Sequence, residues 1–124
     1  MSVKMTSLLC LAALNLTVAC GGDDDDSATG TPDAHVDTIL ALTGDATAGK
    51  AVHDNTCAPC HGANGEGISG YSPALTDEFK DLSDAEIVSV VINGYGADMP
   101  PQSALSDQDV ADVLAYGRET YGSP

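Results

Sequence analysis

Five consecutive residues, Cys57-Ala58-Pro59-Cys60-His61, constrain this chain of 124 residues more than any other feature. Two thiols three positions apart are followed directly by an imidazole, a cluster suited to a metal or to a covalently held group. Zinc would require a second ligand pair at suitable spacing. No other cysteine lies in the C-terminal two thirds of the chain, and His35 sits in a polar N-terminal stretch. Two thiolates and one imidazole leave a zinc site incomplete. Nor is there an even set for a disulfide framework, because Cys10 and Cys20 belong to an apolar leader and its end.

C-x-x-C-H is the spacing at which haem is attached covalently. Each thiol forms a thioether to a vinyl group, and the adjacent imidazole reaches the iron. A prosthetic group also suits the composition. Hydrophobic residues make up 43% but aromatics only 4%, with no Trp and one Phe. A core so poor in rings is marginal in a small domain, and a metal or cofactor commonly makes up the deficit. The chain without haem is expected to be largely unfolded.

Residues 1–19 carry one cation, Lys4, and the apolar run Leu8-Leu9-Cys10-Leu11-Ala12-Ala13-Leu14, too short to span a bilayer. They read as a secretory leader. The leader ends Leu16-Thr17-Val18-Ala19-Cys20, which resembles the bacterial lipoprotein box and implies lipidation at Cys20. Thr17 departs from that box, which usually has Leu there. Thr17-Val18-Ala19 also fits an ordinary cleavage site that would leave Cys20 free. Residues 20–43, with the run Asp23-Asp24-Asp25-Asp26, read as an acidic flexible tether. A coil of about 20 residues spans roughly 25 Å. Ile39-Leu40-Ala41-Leu42 is an apolar patch within it, able to pack on the domain that follows.

The domain is expected over residues 44–124. Asp45 is placed to cap a helix through about Asn55. Ser83-Asp84-Ala85-Glu86 is a capping box ahead of Ile87, Val88, Val91 and Ile92 at helical spacing, and Gly94 ends that helix. Ser106 starts a last helix with Val110, Val113, Leu114 and Gly117 on one face. No segment alternates as a strand, so the fold class is all-α.

Taken together, residues 44–124 resemble a class I, single-haem cytochrome c. Gly49-Lys50-Ala51-Val52-His53 matches the family's first helix, and Cys57 to Gly62 its attachment site. Asn93-Gly94 through Met99-Pro100-Pro101 matches the loop bringing the distal ligand, and Asp112-Val113-Leu114-Ala115-Tyr116 the closing helix. The resemblance implies three main helices around one haem c bound through Cys57 and Cys60. His61 would be the proximal ligand. Met99, 38 residues on, would be the distal one, and Met1 and Met5 both fall in the leader. His/Met ligation raises the reduction potential.

Pro73 matches the family's proline whose carbonyl accepts from the proximal imidazole, although Tyr71-Ser72-Pro73 also reads as a plain turn. Leu75 would pack on the haem face. Gly49 with Tyr116 carries the family's helix crossing. His53 stands where an aromatic ring is usual and reads as a packed ring-shaped substitute. Gly117 is a second departure, costing about 1 kcal/mol in a helix interior relative to Ala. Tyr71, Tyr95 and Gln102 are candidates for bonds to haem propionates.

The expected function is one-electron transfer at the periplasmic side of a bacterial membrane, through a lipid anchor only. No carboxylate pair or nucleophile–base set indicates an enzyme. Rivals are an accessory haem subunit of a larger oxidoreductase and a haem sensor with a labile distal ligand. From Gly44 onward 13 acids face three bases, a net of −10. That balance excludes nucleic acid as a partner and fits redox proteins with basic docking surfaces.

Overall fold

Three caps set the frame. Asp45 accepts from the Thr47 and Ala48 N–H groups at 2.8 and 3.2 Å, satisfying donors that a helix start leaves open. Ser83 and Ser106 each complete a capping box, with Glu86 and Asp109 reaching back to the serine N–H. The computed structural model describes residues 34 to 122. In chain order its helices are α1 (Ala34–Leu40), α2 (Ala46–Val52), α3 (Ala58–His61), α4 (Leu75–Asp81), α5 (Asp84–Asn93) and α6 (Asp107–Tyr121). A π-helical turn, His53–Cys57, joins α2 to α3. Among the described residues there is no β-strand, only two isolated bridges, Ile68 with Ser72 and Tyr95 with Met99.

The expected helices are α2, α5 and α6. The first runs further than its capping signals suggest, through the π turn to His61. Pro59 explains the widening: it has no N–H to give and its ring crowds the carbonyl four residues back. The Ala58 N–H accordingly reaches the His53 carbonyl, five residues back. Where α2 crosses α6, Gly49 faces the Asp112 carbonyl and the Tyr116 Cβ so closely that any side chain would overlap them. Buried Asp112 ties the same crossing, accepting from the Asp45 N–H at 2.8 Å and from Gln108 Nε2 at 2.7 Å.

Two helices depart from the sequence reading. α1 lies inside the segment 20–43 read as a tether, so the coil reading is wrong from Ala34 to Leu40. Val36 and Ile39 are spaced to share one helix face, and both are buried with Val88, Val110 and Ala111. Leu40 packs against that cluster, whereas Leu42 is exposed. His35, assigned to the tether, is also part of α1, with Nε2 2.8 Å from Asp107 Oδ1. The leader, Cys20 and residues 20–33 lie outside the described residues. The other addition is α4, where Leu75 and Phe79 recur at i and i+4.

Gly117 proves useful rather than merely costly. The Phe79 ring of α4 rests on it, in space that any larger residue would fill. One cation fastens this contact: Arg118 donates to the Phe79 and Leu82 carbonyls, pairs with Asp84 at 2.6 Å, and lies over the Phe79 ring. The carbonyls at the end of α4 are thereby held by a guanidinium from α6.

Candidate haem site

Short helices packed around few rings leave a cavity of about 560 Å³. Cys57, Cys60, His61, Pro73, Leu75 and Met99 all line it, so the site residues expected from the sequence meet in one place. The rest of its wall is largely aliphatic and aromatic, from Phe79, Leu82, Ile87, Val91 and Leu114. Two thiols and an imidazole at one wall, a thioether on another and apolar sides between them fit a porphyrin iron.

The thiols are placed by the turn and short helix that Pro59 shapes. Burial pushes the Cys57 thiol up to about 11, with the neighbouring Cys60 adding to the effect. Cys57 and Cys60 are the residues that would hold haem through thioether bonds. His61 Nδ1 lies 3.1 Å from the Pro73 carbonyl, so the ring N–H donates there and Nε2 is the nitrogen left to bind a metal. Tyr71-Ser72-Pro73 is also a turn, as its other reading had it, since the Tyr71 and Ser72 N–H groups both donate to the Ile68 carbonyl at 2.9 Å.

On another wall, Tyr95 and Met99 exchange backbone hydrogen bonds of 2.8 and 3.3 Å, closing a tight loop that carries Met99. Gly94 precedes it with φ +78°, and a Cβ there would come within 2.6 Å of the Met99 carbonyl. Only glycine meets both demands. The Gln102 N–H donates to the Val91 carbonyl at 2.9 Å and its side chain to the Pro100 carbonyl at 2.7 Å. Gln102 therefore braces the loop, a role its sequence context gave no sign of. Tyr71 and Tyr95 stand at the rim, 53% and 73% exposed.

His53 is a packed ring, as expected, only 1% exposed, with centroids 5.2 Å from Tyr116 and 6.0 Å from Tyr121. Burial holds the Tyr121 hydroxyl well above the ordinary phenol range, and its oxygen is within hydrogen-bond distance of His53 Nε2, at 3.1 Å. Tyr121 went unread because it lies 68 residues away in sequence.

Comparison with known proteins gives the same family. Residues 44–116 match the family model described as cytochrome c oxidase, cbb3-type, subunit III. The chain belongs to the class I c-type cytochromes, small one-electron carriers with a single covalent haem c. It is 37% identical over 84 residues to the cytochrome c-553-like protein of Synechocystis sp. (strain PCC 6803), covering 68% of this chain and 77% of that one. Cytochrome c-551 of Bacillus subtilis (strain 168) is 31% identical over 116 residues, covering 93% and 94%. Among solved structures, cytochrome c6 of the diatom Phaeodactylum tricornutum aligns with TM-score 0.53 and 30% identity, over 63% of this chain and 95% of that one. The chain spans only about half the length of the c-type cytochrome XoxG of Methylobacterium extorquens AM1 and of cytochrome cL of Hyphomicrobium denitrificans.

Proposed function

We propose that His61 Nε2 and Met99 Sδ are the axial ligands of the haem iron, and that the protein is a mobile carrier serving redox partners with basic docking surfaces. The observation that carries this reading is the convergence of both donors and both thiols on one cavity. Haem supplies an iron that cycles between Fe(III) and Fe(II). The protein contributes ligands, an apolar surround and a rigid frame. Met99 is a soft donor that favours Fe(II), and Pro100 and Pro101 stiffen the backbone behind it. With His61 and Met99 both holding the iron, no position on it would be left for a substrate, a reading that favours carriage over catalysis. Among the described residues no helix is long and apolar enough to cross a membrane. Attachment is assigned to lipid on Cys20 at the periplasmic face.

The visible spectrum tests the ligand set. The oxidised protein should show a far-red sulfur-to-iron band, and carbon monoxide should leave the reduced spectrum unchanged. Met99→Ala should lose the band, bind carbon monoxide and shift to a lower potential. A band surviving in that variant would refute the assignment. Mass spectrometry of the mature N-terminus tests the anchor, since an unmodified Cys20 thiol would end it.

The match to an oxidase-subunit model favours a second reading, permanent docking in a larger complex. Purification of the native protein distinguishes the two: a carrier comes off alone, a subunit with its complex.

A further inference from the structure

The last turn of a helix leaves carbonyls without partners, and in α3 that turn is Cys60 and His61 themselves. The loop over residues 62–74 supplies the missing donors. The Gly62 N–H takes the Ala58 carbonyl at 2.9 Å and the Gly67 N–H takes that of His61 at 2.7 Å. The Cys60 carbonyl has a side-chain partner instead: the Ser72 hydroxyl, at 2.5 Å. Ser72 is itself fixed, because the Ile68 N–H donates to both its Oγ at 3.1 Å and its carbonyl at 3.0 Å. The next residue, Pro73, supplies the carbonyl that accepts from His61 Nδ1. Two successive loop residues thus grip two successive residues of the attachment motif. One takes backbone and the other the ring.

We infer that Ser72 is a positioning residue for the proximal ligand: its hydroxyl, locked onto the Cys60 carbonyl, fixes the distance and angle between the Pro73 carbonyl and the His61 ring. This rests on the reading of His61 as an iron ligand. A ring N–H held by a well-placed acceptor makes the imidazole a stronger donor, and a stronger donor stabilises Fe(III) over Fe(II). Ser72 thereby lowers the reduction potential without touching the haem. Its short side chain suits the role, since a hydroxyl on Cβ has one rotatable bond to immobilise and points where the backbone points.

The test uses the full-length holo-protein with Ser72→Ala and Ser72→Thr. In Ser72→Ala the His61 ring N–H should exchange with solvent about tenfold faster, the factor set by one lost hydrogen bond of ordinary strength. Its potential should move to a more positive value, while the far-red band stays in place. Ser72→Thr keeps the hydroxyl and should restore both values. If Ser72→Ala does not accumulate with haem, Ser72→Cys, a weaker donor, should move both readouts in the same direction by less. A Ser72→Ala protein with unchanged exchange and unchanged potential would overturn the proposal, whatever its melting temperature. A different result would overturn the ligand reading beneath it: His61 ring resonances without the shift that a paramagnetic iron imposes in the oxidised wild type.

Discussion

The two walls that carry the proposed iron ligands, His61 and Met99, are built on different plans. The His61 wall is local: two thiols, the imidazole and the loop that grips them fall within residues 57 to 75, knitted by side-chain and backbone bonds. The Met99 wall hangs on one bridge, Tyr95 with Met99, braced by Gln102 and by the crowding at Gly94. One proposed ligand thus sits beside the two attachment cysteines in a hydrogen-bonded frame, and the other is held by loop geometry alone. If anything opens the site, it should be the Met99 side.

The largest effect should come from removing the covalent half of that contrast. Cys57→Ala with Cys60→Ala is expected to abolish haem attachment and leave a chain with little helix by circular dichroism, because the remaining core is poor in rings. Native helix content in that variant would break the comparison. Next, Ile39→Ala should lower global stability by about 2–5 kcal/mol, the cost of a cavity in a packed cluster. Denaturant titration should register this while the far-red band is retained below the transition, since α1 belongs to neither wall.

Gly94→Ala acts on the Met99 wall alone. Forcing φ +78° on a residue with a Cβ costs about 1–2 kcal/mol, and here the Cβ also meets the Met99 carbonyl. The far-red band should therefore be lost at lower temperature than in the wild type, before the α-helix signal changes. Simultaneous loss of both signals would show that the two walls are a single cooperative unit. The smallest effect concerns the caps. Hydrogen bonds from Ser83 and Ser106 hold the Glu86 and Asp109 carboxylates below their ordinary values of 4.5 and 3.8. A depressed folded value means stability present above the unfolded one and lost as pH falls through the folded one. Glu86→Gln and Asp109→Asn should thus lower stability at neutrality, where the carboxylates contribute, and flatten its fall below about pH 4.5.

Legibility in the sequence followed the same division. The attachment motif and both serine caps were readable because each signal sits within a few residues, whereas Pro73, Leu75 and Met99, which line the cavity, came from the resemblance. Contacts between distant segments were not readable. The hydroxyl of Tyr121 on His53, and the carboxylate of Asp112 on the start of α2, exist only once α6 crosses back. α1 was obscured for another reason: the acidic run ahead of it dominates the composition of its surroundings, while its own Val36 and Ile39 are too few to register as periodicity. Leu75 and Phe79 did carry the i, i+4 signal of α4. Gly117 looked like a defect until the ring it receives was placed beside it.

Arg118 is the only arginine in the chain, and a net charge of −15 surrounds it. The fold turns that cation inward, its side chain 13% exposed, to hold the end of α4 and so the Phe79 side of the cavity. From Gly44 onward the remaining bases are Lys50 and Lys80, and Lys50 is paired with Asp54 at 2.6 Å. A partner with the basic docking surface proposed above would therefore meet a nearly unrelieved anionic field, and rising ionic strength should slow its arrival.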